Sequence, residues 1–382
     1  MRGLSKAVES VKSSVTLRIN SKAKALKKSG KDVVLFTAGE PDFATPDEIK
    51  NAAIDAINAN FTKYTKSSGI IELREKICQK LKDDNDLDYS PDEIVVSNGG
   101  KQALFNIFGA ILNPNDEVII FTPAWVSYAP QVAMWKAKAV AVSTSAEEEY
   151  LPKRESLESA LTDRTKAILL NSPNNPTGTV YDRKTLEMIA DFAKTHDLYV
   201  VADEVYEKIV YDLEHVSIAS INGMRNRTLI INGFSKSHAM TGWRVGYSVA
   251  PFEISKEIAK IQSHTTSNIN SIAQMAALKA LDVDTSDMVV EYRKRRDLIV
   301  DLLHKAKFKF FKPKGAFYVM IDVRAFLNGK TTEDLCIELM EKAGVAMIPG
   351  DGFGLPGFVR ISFATSQNQI RKGIERLSNY LN

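Results

Sequence analysis

Between residues 94 and 250 the chain alternates short, continuously apolar runs with longer stretches in which apolar residues recur every three to four positions. The short runs fall at 94–96, 118–121, 139–142, 167–170, 199–202, 229–231 and 245–249, and are rich in β-branched residues. Runs this short, apolar throughout, predict strands buried on both faces. Helical spacing is clearest over 101–112, 154–161 and 184–196. Strands alternating with helices predict an α/β fold around a mainly parallel sheet. Ligands in such sheets bind beyond the carboxyl ends of the strands, so informative residues are expected there.

The flanks read differently. Residues 1–30 are basic and helix-like, and 33–37 form a short strand before the turn Ala38-Gly39-Glu40-Pro41-Asp42. A helix, a turn and a helix follow to about residue 81, and 252–305 is mostly helical. Residues 308–382 mix strands (317–321, 359–363) with helices and read as a smaller α+β unit, joined by the N-terminal segment.

Composition narrows the class. Of 382 residues, 44% are apolar and 25% charged, as in an ordinary globular protein. Fifty basic against 47 acidic side chains leave a net charge of +3, no footprint for nucleic acid or an anionic membrane. Cys78 and Cys336 are far apart and lack a CxxC partner, so buried free thiols are expected. The five histidines have no metal-ligand spacing, and no metal is expected. Residues 1–10 hold no apolar signal core and no run is long enough to span a bilayer, which predicts a cytoplasmic protein.

Candidate chemistry sits just after the strands. Gly233-Phe234-Ser235-Lys236 follows the run at 229–231, and a lysine there can point into a cleft and form a Schiff base with an aldehyde cofactor. Arg244, eight residues on, could meet a phosphate bidentately. Asp203 ends the run at 199–202, where a buried carboxylate could hold a ring nitrogen protonated; Tyr206 could donate to an oxygen. Asn171-Ser172-Pro173-Asn174-Asn175-Pro176-Thr177-Gly178 is a rigid turn presenting Asn175. Ser97-Asn98-Gly99-Gly100-Lys101 opens a helix, whose free amides suit a phosphate although the P-loop spacing is absent. Trp125 offers an aromatic plane. Singly, these are a surface lysine, a strand end, a turn and a core tryptophan.

Together they resemble one family. The stretch Gly233-Phe234-Ser235-Lys236-Ser237-His238-Ala239-Met240-Thr241-Gly242-Trp243-Arg244-Val245-Gly246 matches the pyridoxal-phosphate (PLP) attachment signature of class I, fold-type I aminotransferases. The chain is most similar to their bacterial aspartate aminotransferase subgroup, through Met1-Arg2-Gly3-Leu4-Ser5, Ala38-Gly39-Glu40-Pro41-Asp42-Phe43, Gly99-Gly100-Lys101-Gln102-Ala103-Leu104-Phe105-Asn106 and Phe358-Val359-Arg360-Ile361-Ser362-Phe363. The resemblance implies a seven-stranded sheet with helices on both faces, a large domain over 36–285, and a small domain of 1–35 and 286–382 closing over the site. It implies that Lys236 carries PLP as a Schiff base and shuttles the proton. Asp203 would face the pyridine nitrogen; Tyr206 and Asn175 the phenolic oxygen; Trp125 the ring. Gly100, Lys101, Ser235 and Arg244 would hold the phosphate, with Tyr64 arriving from the other subunit of a homodimer. Gly233 stands where many relatives carry a phosphate-binding serine.

For substrate, the resemblance implies that Arg360 takes the α-carboxylate with Asn175, Trp125 and the Gly39 backbone. Lys101, Ser14 and Thr16 would take a side-chain carboxylate, since residues 263–270 offer no arginine. The implied reaction moves the amino group of L-aspartate to 2-oxoglutarate by a ping-pong route. Aromatic, prephenate or alanine transamination, a PLP carbon–sulfur lyase, and a non-enzymatic effector module remain alternatives. The last carries a DNA-binding domain ahead of the fold, which here begins within the first 40 or so residues.

Overall fold

The computed structural model describes residues 15–381. Strands are numbered in chain order. β1 (Val34–Leu35) is followed by β2 (Ile94–Ser97), β3 (Glu117–Thr122), β4 (Lys138–Ser143), β5 (Thr165–Asn171), β6 (Tyr199–Asp203), β7 (Thr228–Gly233) and β8 (Gly246–Val249). β9 (Lys309–Phe310), β10 (Tyr318–Asp322), β11 (Val345–Ala346), β12 (Ile348–Pro349) and β13 (Phe358–Ser362) complete the set.

β2 to β8 form a seven-stranded sheet in the order β2-β8-β7-β6-β5-β3-β4. Pairings are parallel except those of β8, which runs antiparallel to β7 and β2. Each apolar run of the sequence falls on one of these strands. β2, β7 and β8 are buried at every residue, as expected of strands covered on both faces. β4 differs: it leaves Lys138, Ala141 and Ser143 exposed, whereas β2 at the other edge is fully covered. Helices Gly100–Ile111 and Phe252–Thr265 pack one apolar layer, with Val95, Val118 and Leu169 of the sheet. Helix Arg183–Thr195 belongs to another, with Ile119, Ile168 and Val200. Alternate strand residues thus feed opposite layers.

A second sheet, β12-β13-β10-β9, is antiparallel. It shares an apolar core with helices Ser286–Lys305 and Gln367–Leu381, through Tyr292, Ile299, Phe317, Ile361 and Ile374. β1 pairs in parallel with β11, tying the segment after helix Val15–Lys28 to this part. Cys336 is buried, but Cys78 is only half-buried, contrary to expectation; helix Ile71–Asn85 buries Leu73, Ile77 and Leu81, and Cys78 lies beside that stripe. Among the described residues no helix is long and apolar enough to cross a membrane.

Candidate active site

The sheet gathers its functional residues at one end. Asn171, Asp203 and Lys236 lie at or just beyond the carboxyl ends of β5, β6 and β7. The chain then returns along β8, so Arg244, just before β8, reaches the same end. Here lies a cavity of about 440 Å³. It is lined by Thr16, Gly39, Gly100, Lys101, Trp125, Asn175, Asp203, Tyr206, Ser235, Lys236, Arg244 and Arg360, all singled out in the sequence. Tyr64 is elsewhere, with 91% of its surface exposed. Ser14 lies outside the described residues.

Asp203 is buried and accepts a hydrogen bond from the Tyr128 hydroxyl at 2.7 Å. Burial pushes its carboxyl up to about 6, while Tyr128 and the Val205 amide pull it back. Asn171 Nδ2 donates to the Asp203 carbonyl at 2.9 Å, and its Oδ1 accepts from the Asn175 amide at 2.8 Å, locking two loops together. Lys236 Nζ donates to the Gly39 carbonyl at 2.5 Å, across from the N-terminal segment. Burial lowers its ammonium to about 8, with Glu40 opposing. A group with that value holds about a tenth of its amine neutral at pH 7.

Arg360 comes from β13 and is 3% exposed. Nη1 donates to Asn175 Oδ1 at 2.9 Å and Nη2 to the Thr37 carbonyl at 3.3 Å, while buried Nε has no partner. A buried guanidinium with a donor to spare suits a carboxylate ligand. Asn175, with Oδ1 occupied, keeps its amide donors for a ligand. The buried Thr16 hydroxyl also lacks a partner.

At the opposite wall, helix Gly100–Ile111 begins after Gly99, whose φ of 78° is natural to glycine. A Cβ on Gly99 would stand 2.5 Å from Arg244 Nη2. First-turn amides of a helix have no internal acceptor, and those of Gly100 and Lys101 are of this kind. Arg244 donates to the Thr241 carbonyl at 2.9 Å and the Asn98 carbonyl at 3.2 Å. Lys101 Nζ lies 4.8 Å from the centre of the Trp125 ring, and burial, then Arg244, lowers its proton affinity. Gly233 has a packing reason beside the serine of relatives: a Cβ would lie 2.8 Å from Gly246 Cα.

Sequence reasoning missed several lining residues, among them Asn20, Thr37, Glu40, Tyr128 and Tyr318. Tyr318 Oη sits 2.8 Å from Tyr206 Oη. Tyr128 opens the helix Tyr128–Met134, and its ring meets that of Trp125, in the preceding loop, edge to face with centroids 5.3 Å apart. Behind Asp203, folding also gathers Glu204, Glu207 and His215, which the linear spacing of the histidines does not reveal. His215 Nε2 lies 3.5 Å from Glu204 Oε2, and Lys80 pairs with Glu207. Glu207 thus already has a cationic partner.

The family model for aminotransferase class I and II matches residues 31–377. The chain belongs to the class I and II aminotransferases. An aspartate aminotransferase of Thermotoga maritima is 45% identical over 99% of both chains. An aspartate/prephenate aminotransferase of Thermus thermophilus is 44% identical over 100% of this chain and 99% of its own. The solved structure of the Thermotoga maritima enzyme superposes with a TM-score of 0.96, covering 99% of this chain and 100% of that one at 45% identity. Thermus thermophilus aspartate aminotransferase with maleate gives 0.94, covering 100% of both at 43% identity. This aminotransferase has the fold-type I architecture of those structures.

Proposed function

We propose that this aminotransferase uses PLP to move the amino group of L-aspartate to 2-oxoglutarate, and acts as a cytoplasmic homodimer. The observation that carries the reading is that Lys236, Asp203 and Arg360 face one cavity. The donor set fits the cofactor: a lysine of lowered proton affinity, a buried carboxylate, free helix-start amides beside Arg244, and an unsatisfied guanidinium nitrogen. When bound, PLP supplies an aldehyde and a cationic ring that accepts electrons from the substrate's α-carbon.

Each side chain then has a task. Lys236 would anchor the cofactor through Nζ and, once freed by the substrate, its Nζ would take the α-proton and give it back on the far side of the substrate nitrogen. Asp203 holds the proton on the ring nitrogen, and Tyr128 fixes its carboxylate. Tyr206 and Asn175 donate to the phenolic oxygen, and Trp125 covers the ring. Gly100, Lys101, Ser235 and Arg244 hold the phosphate, joined by Tyr64 of a second subunit. Arg360 grips the α-carboxylate beside Asn175 and Gly39, which narrows the bound poses to those with the α-proton near Lys236.

Aspartate is favoured because the cavity offers a second cation, Lys101, and the unpartnered Thr16 hydroxyl; Ser14 is assigned to the same subsite. A buried side-chain carboxylate needs such a partner. The Thermus thermophilus relative has been seen with maleate, itself a dicarboxylate. Prephenate, in the name of the Thermus thermophilus aspartate/prephenate aminotransferase, also carries two carboxylates and would satisfy the same pair of cations. We assign residues 36–285 to a large domain, and 1–35 with 286–382 to a small one that excludes water when it closes.

The test is an amino-acid panel against the PLP-loaded enzyme, following loss of cofactor absorbance, then recovery with 2-oxoglutarate or prephenate. Aspartate and glutamate are expected to discharge the cofactor fastest. Faster discharge by phenylalanine or alanine refutes the dicarboxylate assignment; no discharge by any amino acid refutes PLP-dependent amino transfer.

A further inference from the structure

Two buried hydroxyls meet at the cavity wall. Tyr206 follows β6, and Tyr318 opens β10 in the other sheet; their oxygens are 2.8 Å apart. A phenol carries one proton, so only one of the pair donates in this contact. If Tyr206 donated to Tyr318, it would have none left for a ligand.

The surroundings favour the opposite direction. The Arg360 guanidinium lies 4.4 Å from the centre of the Tyr318 ring. A cation over a ring draws on its electrons and makes its hydroxyl the better donor. Lys236 Nζ stands farther from the Tyr206 ring, at 5.9 Å. Charged and titratable groups bearing on the pair are Arg360 and Glu40 at Tyr318, and Arg360 and Asp203 at Tyr206.

We propose that Tyr318 is a positioning residue: it donates to Tyr206 Oη, aims the Tyr206 proton into the cavity, and couples that proton to the occupancy of Arg360. The proposal rests on the PLP reading above. A carboxylate arriving at Arg360 neutralises the cation, weakens Tyr318 as a donor, and through it weakens Tyr206. This route crosses from β13 to β10 to the end of β6 and is separate from the Arg360–Asn175 bond. Tyr206 would thus report whether the carboxylate subsite is filled.

The readout is the absorbance of the holoenzyme as a function of pH, which follows the proton on the nitrogen joining cofactor to Lys236. That proton faces the phenolic oxygen, so a stronger Tyr206 donor disperses the oxygen's charge and loosens the proton. Tyr318→Phe keeps the ring beneath Arg360 and removes one hydroxyl. It should tighten that proton by ~3- to 10-fold, the range of one ordinary hydrogen bond. Tyr206→Phe should tighten it further, and the double variant should shift no more than Tyr206→Phe alone. An unchanged midpoint in Tyr318→Phe, or additive shifts in the double variant, overturns the coupling. Should Tyr318→Phe not fold, maleate supplies a second arm. Saturating maleate should raise the midpoint more in the wild type than in Tyr206→Phe, and equal rises overturn the link. A wild type that shows no cofactor band overturns the PLP reading itself, an outcome distinct from an unmoved midpoint.

Discussion

Tyr128 donates to Asp203 Oδ2 at 2.7 Å, so the acid at the end of β6 is already oriented by a phenol from beyond β3. The two residues are 75 positions apart and meet because β3 and β6 flank β5 in the sheet.

Asp203→Asn keeps the shape and removes the charge. Cofactor uptake should persist, while the half-reaction with aspartate should slow at least ~10²-fold, as for a lost electrostatic or proton-holding group. Stopped-flow absorbance checks this, and a near wild-type rate would refute the pairing. Tyr128→Phe removes a bond to the charged form of a carboxyl that already stands at about 6. The acid limb of kcat/KM should therefore move to higher pH.

Lys236 gives a stability signature without cofactor. Its ammonium titrates at about 8 when folded, against ~10.4 in an unfolded chain. Between those values the unfolded state holds more protons, so the Lys236 contribution rises as pH climbs from about 8 to ~10.4. Urea midpoints of the apo wild type and Lys236→Met, compared at pH 7 and ~10, should show the wild type gaining on the variant at the higher pH. No relative gain sinks the burial argument.

Tyr64, 91% exposed and outside the cavity, is expected to serve the neighbouring subunit. Mixing Tyr64→Ala with Lys236→Ala should restore activity, because one site of each hybrid dimer is intact. Verified subunit exchange without recovery counts against a shared site.

Substrate choice turns on Lys101. Lys101→Ser leaves the backbone amide in place, so cofactor should stay bound. For aspartate, kcat/KM should fall by ~10- to 10³-fold, the cost of a lost charge-assisted contact. Phenylalanine or alanine should be affected much less. An equal fall for both classes shows general damage and removes Lys101 as the specificity residue.

The strands were legible because the sheet interior forces apolar runs bounded by turns, and the strand-end residues because a parallel sheet brings its carboxyl ends together. The reversal of β8 was not: residues 245–249 look like any buried strand, and direction is set by the connection. Arg360 was found through a family string, since periodicity says only that β13 is a strand. Tyr128 and Tyr318 escaped because a tyrosine in an apolar run reads as core until its hydroxyl's partner is known. His215 escaped as a neighbour of Glu204 for the same reason, the contact being made by the fold and not by spacing.

The antiparallel return of β8 has a further consequence. Lys236 and Arg244, assigned to the aldehyde and the phosphate of one cofactor, both sit on the single connection 234–245 between neighbouring strands. That connection works as a gauge whose span must match the spacing of the two groups it holds. An inserted residue between positions 236 and 244 would detune both grips at once, whereas grafting the whole segment between relatives would transfer them as one cassette.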